Sequence, residues 1–276
     1  MPCCVGRARA IIAIPRRNPL ETLIVERNGN GIVTVTLNRP EKKNAISMPM
    51  WAELGETFRE VAESKDDRVM VLTGAEGAFC AGADLTPDGD ADWHQLDRMQ
   101  YYGWVGLALH EIPKPVIAKV NGVAVGAGLN LALGCDLIVA GESARFCEIF
   151  ARRGLALDLG GSWLLPRLVG LHKAKELALL AEMLSAEEAE RIGIVNRVVP
   201  DAELDAFVDG WANRLAEGPP LALQLSKRML TSAMTGSLSE ALHTEAMAQS
   251  VTSTSKDTRE AMIAFFEKRT PVFHGK

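Results

Sequence analysis

The stretch VGAGLNLALGCDL, from Val125 to Leu137, combines a turn of very small residues with an apolar helical pattern. Gly126, Ala127 and Gly128 carry no side chain larger than a methyl group, so another group can approach the backbone of this turn closely. A single amide, Asn130, follows in the otherwise apolar helical segment. The turn therefore predicts a place where something meets the main chain.

Outward from this turn, short apolar runs alternate with amphipathic helical patterns. The runs RVMVLTG, KPVIAKVNG and CDLIVAG each end in a turn of small residues, and a helix is expected from about Ser47 to Ser64. Strands separated by helices are typical of an α/β core with largely parallel strands. Ligands bind such sheets at the turns where strands end.

The two ends of the chain complete the expected architecture. The segment TLIVERNGNGIVTVTLNRP has two β-rich runs around an Asn-Gly-Asn-Gly turn, which predicts a hairpin. From about residue 161 the pattern is almost wholly helical, interrupted by GIVNRVV and by the breaker EGPP. Residues 1–19, rich in arginine, differ from the rest and are expected to form a mobile arm.

Composition excludes several classes of function. The 276 residues are 47% hydrophobic and 24% charged, which suits a large globular core. A net charge of -5 without a long basic run argues against nucleic acid or a membrane surface as the main partner. Five cysteines without paired metal-ligand spacing argue against a zinc site and favour free thiols in a reducing cytoplasm.

A second turn of small residues, GAFCAGADL, follows another predicted strand. Backbone N–H groups at the two turns could face a developing negative charge. Taken singly, either turn is explained as well by close packing or positive φ angles. Neither turn matches a phosphate-binding P-loop or the GxGxxG dinucleotide fingerprint.

Four motifs taken together, in this order, carry a family resemblance: LNRPEKKNAI, FCAGADL, KPVIAKVNGVAVGAGLNLALGCDLIVA and FFEKRTPVF. They resemble the crotonase, or enoyl-CoA hydratase/isomerase, superfamily, over about Leu20 to His274. The resemblance implies an α/β fold with a spiral of ββα units over residues 20–210 and a helical trimerisation region over 211–276. It also implies homotrimers or homohexamers and an acyl-CoA thioester substrate, with CoA as part of the substrate and no separate cofactor or metal.

The resemblance assigns roles to residues of both turns. The N–H groups of Ala83 and Ala127 would hold the thioester oxygen, which becomes an enolate when a neighbouring carbon loses its proton. Asp84 would line the path of the substrate or, in a purely structural role, accept hydrogen bonds from nearby N–H groups of its own turn. The further substrate-binding residues implied in this way are Leu85, Gly126, Asn130, Phe150 and Lys268.

The sequence departs from the hydratases of this superfamily at two positions. Where those enzymes carry two glutamates that handle water, this chain has Asn130 and Phe150. Neither an amide nor a phenyl ring can act as a general base at neutral pH. The departure therefore argues against hydration by the usual pair.

Asp158, in the segment RRGLALDLGGSWLLPRLVG, is the candidate base instead. With Asn130, this segment resembles epoxyphenylacetyl-CoA isomerases and Δ3,Δ2-enoyl-CoA isomerases. An apolar setting would raise the pKa of Asp158 to a useful value. The structural alternative is that Asp158 only caps the following helix. Glu148 is a rival base, since it would share a face with Phe150 if that segment is extended.

The remaining candidates have weaker signals. His94, Tyr101 and Tyr102 would line the acyl pocket or simply pack, and Lys268 with Arg269 would approach the CoA phosphates or end a solvated helix. The sequence thus predicts an acyl-CoA isomerase of fatty-acid-type metabolism. An enoyl-CoA hydratase (a lyase) and a catalytically silent acyl-CoA binding protein are the two alternatives.

Overall fold

Two sheets and a series of helices form the fold in the computed structural model, which describes residues 20–86 and 94–276. The arm expected at residues 1–19 lies outside the described residues. The strands are β1 (Leu23–Arg27), β2 (Ile32–Leu37), β3 (Val69–Gly74), β4 (Val116–Val120), β5 (Val123–Val125), β6 (Leu137–Gly141), β7 (Arg145–Cys147), β8 (Leu184–Ser185) and β9 (Arg197–Val199).

The larger sheet has six strands in the order β1-β2-β3-β4-β6-β9. The predicted hairpin is confirmed: β1 and β2 pair antiparallel, with Leu23 opposite Leu37 and Arg27 opposite Val33. All other neighbours in this sheet are parallel, as the three apolar runs predicted. The smaller sheet has the order β5-β7-β8. The strand β9, which pairs with β6, accounts for the GIVNRVV interruption.

The helices are α1 (Met48–Glu63), α2 (Gln95–His110), α3 (Ala127–Leu133), α4 (Gly161–Val169), α5 (Leu171–Leu180), α6 (Ala186–Arg191), α7 (Leu204–Ala216), α8 (Pro220–Ala233), α9 (Leu238–Thr252) and α10 (Lys256–Glu267). The expected helix near residues 47–64 is α1. It begins after Ser47 with a proline in its first turn, a position where the missing N–H costs nothing. Its buried face, including Met50, Leu54 and Phe58, recurs every three to four residues.

Alternating side chains divide the core into two layers on either side of the large sheet. In β3, Met70 and Leu72 belong to the larger cluster, whereas Val69 and Val71 belong to the smaller one. This division follows from the two-residue period of a strand. The smaller cluster is closed by α7, whose buried side chains pack against the sheet. The domain boundary expected after residue 210 falls inside this helix.

Strands of the two sheets follow one another along the chain and lead into a helix. The units β4-β5-α3 and β6-β7 show this order, and a bridge between Cys80 and Ala124 brings the chain after β3 beside β5 in the same way. Each unit therefore carries the backbone from the large sheet to the small one. The turns that follow β3 and β5 are thereby placed next to each other.

The helices α8, α9 and α10 bury few of their own side chains. Large apolar residues remain exposed on them, among them Leu230, Leu238, Phe265 and Phe266, each more than 70% exposed. No helix within residues 20–86 and 94–276 combines the length and the apolar character needed to span a bilayer.

Candidate active site

The two turns of small residues pack directly against each other. The N–H of Val125 donates to the carbonyl oxygen of Cys80 over 3.0 Å. A β-carbon at Gly128 would overlap that same carbonyl group, and one at Gly82 would lie 2.9 Å from the carbonyl oxygen of Val125. Gly82 also has a φ of +101°, which disfavours any side chain. Close packing between the turns is therefore one reason for their small residues.

The N–H groups of Ala83 and Ala127 are free donors in these turns. Within residues 20–86 and 94–276 neither one meets a hydrogen-bond acceptor, although the adjacent N–H groups of Asp84 and Gly126 donate to Ile46 and Cys147. The two alanines are neighbours, since a β-carbon on Gly82 would stand 3.7 Å from the nitrogen of Ala127. Two unpaired donors side by side can stabilise an oxyanion.

A cavity of about 910 Å³ opens beside these turns. Ala83 lines it, whereas Ala127 is not among the lining residues and is 2% exposed. Apolar side chains form much of the wall, and three basic groups also line the cavity. The apolar residues include Met48, Met99, Tyr102, Phe150, Leu155, Leu157 and Leu159, and the basic ones are Arg39, Lys42 and Arg98.

Two carboxylates line the cavity, and their surroundings differ. Asp84 accepts hydrogen bonds from the Thr86 hydroxyl and N–H and from Nη1 of Arg39, the last over 2.9 Å. These bonds, foremost the one from the Thr86 hydroxyl, lower the pKa of Asp84 to about 2. Burial instead raises the pKa of Asp158 to about 6, against the opposing effect of a hydrogen bond from Asn130. Asp158 is therefore much the stronger base of the two.

The carboxylate of Asp158 does not cap α4. That helix has Gly160 at its N-cap position with no side-chain hydrogen bond, and Asp158 contributes only its backbone carbonyl, which accepts the N–H of Gly161 over 2.8 Å. The side chain instead meets Asn130, whose Nδ2 lies 3.1 Å from the carbonyl oxygen and 3.4 Å from Oδ1 of Asp158. The carboxylate is thus available to a ligand in the cavity.

Asn130 and Phe150 both lie at this site. Asn130 is buried, and a β-carbon on Gly161 would overlap its amide, so that glycine makes room for the side chain. The ring of Phe150 lines the cavity and packs near Gly126, where a β-carbon would lie 3.7 Å from Cζ. Neither the amide of Asn130 nor the ring of Phe150 can take a proton at neutral pH.

Glu148 is placed differently from the extended arrangement considered above. A 3₁₀ helix, Ile149–Arg153, begins directly after it, so the segment is not extended. The side chain is 1% exposed and is not among the residues lining the cavity. Burial, together with the nearby charge of Asp158, raises its pKa to about 8. At neutral pH Glu148 is therefore mostly protonated, and because its side chain does not line the cavity, it is not placed to act as the general base.

The other candidates divide between the cavity and the surface. Leu85 lines the cavity and is 66% exposed, and Tyr102 lines it while stacked on Trp51. His94 accepts the N–H of Leu96 at Nδ1 and so caps α2. Tyr101 stacks on Trp104 and is not among the residues that line the cavity.

Lys268 and Arg269 lie at the end of α10 rather than at the cavity wall. Arg269 pairs with Glu260 and Glu267, and these two carboxylates raise its pKa further. The basic groups that do line the cavity, Arg39, Lys42 and Arg98, were not identified from the sequence as site residues. No spacing signal marks them, because α2 and the segment after β2 meet only in the folded chain.

Comparison with known proteins identifies the family of this site. The family model described as enoyl-CoA hydratase/isomerase matches residues 27–276. The chain belongs to the enoyl-CoA hydratase/isomerase family. The predicted family resemblance is thereby confirmed.

The relatives within the family are named for two different activities. The 1,2-epoxyphenylacetyl-CoA isomerase of Escherichia coli K12 is 42% identical over 251 residues, which cover 89% of this chain and 96% of the relative. The short-chain-enoyl-CoA hydratase of Clostridium acetobutylicum is 35% identical over 252 residues, covering 91% of this chain and 96% of the relative. Both reactions therefore occur among the relatives of this chain.

A solved structure confirms the fold. An enoyl-CoA hydratase from Bacillus anthracis superposes with a TM-score of 0.89 at 33% identity, covering 93% of this chain and 100% of the other. The predicted α/β crotonase fold with a helical C-terminal region is therefore correct.

Proposed function

We propose that this member of the enoyl-CoA hydratase/isomerase family is an acyl-CoA isomerase. The observation that carries the proposal is the difference between the two carboxylates of the cavity. Asp84 is held in its ionised form by Thr86 and Arg39, whereas Asp158 lies in an apolar wall with a pKa of about 6. A carboxylate with a pKa near the working pH can both accept and return a proton.

In the proposed reaction the N–H groups of Ala83 and Ala127 hold the thioester carbonyl oxygen of a 3-enoyl-CoA. Asp158 removes a proton from C2, and the electron pair of that C–H bond moves into a dienolate whose charge rests on the thioester oxygen. The protonated Asp158 then returns the proton to C4, so that the double bond moves to C2 and C3. CoA is part of the substrate in this scheme, which needs no metal and no nicotinamide.

Incubation with 3-enoyl-CoA and with 2-enoyl-CoA in D₂O, followed by mass spectrometry, tests the proposal. We expect a shifted double bond with deuterium incorporated into the acyl chain, compared with a control lacking enzyme. Addition of water to 2-enoyl-CoA without a shifted bond would instead establish the hydratase alternative, which the named Clostridium relative favours. Binding of acyl-CoA with neither outcome would establish a silent binding protein.

Assembly into a homotrimer or homohexamer in the cytoplasm is part of the same proposal. Exposed apolar side chains are concentrated on α8, α9 and α10, where Leu238, Phe265 and Phe266 are each more than 70% exposed. Large exposed apolar patches are typical of contacts between subunits. Residues 211–276 are thus the proposed trimerisation region.

Sedimentation velocity at micromolar concentration is expected to show a trimer or a hexamer. Replacing Phe265 and Phe266 together by serine should shift the population toward monomer, because both rings would leave water on assembly. Circular dichroism of the variant provides the control for folding. A wild-type protein that sediments as a single monomeric species would contradict this assembly.

A further inference from the structure

Three polar atoms of the site are buried without a hydrogen-bond partner among the residues that the structure describes. They are Oδ1 of Asn130 and both carboxyl oxygens of Glu148. Both side chains are about 1% exposed. Buried polar groups are nearly always satisfied, and two acceptors cannot satisfy each other unless one of them carries a proton.

The backbone places these two residues on either side of Gly126. The N–H of Asn130 donates to the carbonyl oxygen of Gly126 over 3.0 Å, and the N–H of Gly126 donates to the carbonyl oxygen of Cys147 over 2.8 Å. Cys147 directly precedes Glu148. Both side chains also act on Asp158: Asn130 by its hydrogen bond, and Glu148 by the charge interaction between the two carboxyl groups.

We propose that Glu148 is a positioning residue: as a neutral carboxylic acid it donates a hydrogen bond, directly or through one water molecule, to Oδ1 of Asn130. The Nδ2 group of Asn130 is thereby turned toward Asp158, where it contacts the carboxylate and the backbone carbonyl. The inference rests on the proposed function, in which Asp158 moves the proton. Glu148 acts through Asn130 and does not touch the substrate.

The charge state of Glu148 agrees with this role. Its pKa of about 8 leaves the carboxyl group protonated at neutral pH, so that it has a proton to donate. The charge that raises the pKa of Glu148 besides burial is that of Asp158. The neighbouring thiol of Cys147 is also neutral, because burial raises its pKa more than the charge of Arg152 lowers it. Above about pH 8 Glu148 ionises, loses its donor and repels both Oδ1 of Asn130 and Asp158.

Two variants separate the donor from the charge. Glu148→Gln keeps a donor of nearly the same shape but cannot ionise, so we expect it to retain most of the turnover. Its activity should lack the decline that we expect of the wild type above about pH 8. Glu148→Leu leaves Oδ1 of Asn130 without a donor, and we expect kcat to fall about tenfold with KM for the acyl-CoA changed less than about twofold. Leucine suits a buried site, and a melting curve checks that this variant folds.

Infrared difference spectroscopy gives a readout that does not depend on activity. The wild type should show the carbonyl band of a buried carboxylic acid at neutral pH, titrating near pH 8 and absent from Glu148→Gln. In Asp158→Asn the band should persist and titrate at a lower pH, because the charge of Asp158 no longer opposes ionisation. If Asp158 is not the base, Asp158→Asn keeps its turnover. The Glu148 band is measured independently of that result.

Either of two results would overturn the inference. One is a Glu148→Leu variant with the kcat and pH profile of the wild type. The other is a wild-type spectrum at neutral pH in which no carboxylic acid band is lost on Glu148→Gln. Glu148 would then be ionised, and an ionised Glu148 cannot donate to Asn130.

Discussion

Asp158→Asn is expected to lower isomerase turnover by about 10²- to 10⁴-fold, the usual contribution of a general acid–base group. The asparagine has nearly the same shape and can still accept the hydrogen bond from Asn130. The backbone carbonyl that accepts the N–H of Gly161 is untouched, so α4 should begin as before. Affinity for acyl-CoA should therefore change little while kcat falls.

The pH dependence of the wild type provides a second measurement on the same group. Because burial raises the pKa of Asp158 to about 6, the base form, and with it kcat, should increase as the pH rises through about 6. Glu148→Gln is the matched control for replacing a buried carboxyl group by an amide, and it should retain far more activity. If Asp158→Asn kept its turnover and Glu148→Gln lost it, the assigned base would be wrong.

Ala127→Pro is expected to lower turnover by about 10²- to 10³-fold, the typical effect of removing one donor from an oxyanion hole. Ala127 is the first residue of α3, where a proline is tolerated because its N–H has no partner within the helix. The substitution therefore removes the proposed donor, while the helix can still form. The proline ring also fills space where the N–H would meet the substrate oxygen.

Ala127→Gly is the control for this experiment, since it removes only the methyl group and keeps the N–H. Steady-state kinetics of both variants, with circular dichroism to compare their helix content, tests the assignment. A proline variant with turnover close to that of the glycine variant would show that the N–H of Ala127 does not hold the thioester oxygen.

Local patterns were sufficient for several elements of the fold. The hairpin of β1 and β2, the helix α1 and the three parallel strands β3, β4 and β6 lie where alternation, helical spacing and turn residues placed them. Each of these signals comes from neighbours within a few residues in the chain. The extended arrangement considered around Glu148 was not found, because the 3₁₀ helix Ile149–Arg153 begins there.

The sequence by itself determined the family and the two small-residue turns, and through the resemblance it predicted that Asn130 and Phe150 stand where the hydratases carry glutamates. Only the tertiary structure decided what the remaining carboxyl groups can do. Asp158 faces the cavity and does not cap α4, while Glu148 is enclosed as a neutral acid. Side-chain type is written in the sequence, but a pKa depends on burial and on charges brought close by folding, and these come from residues far apart along the chain.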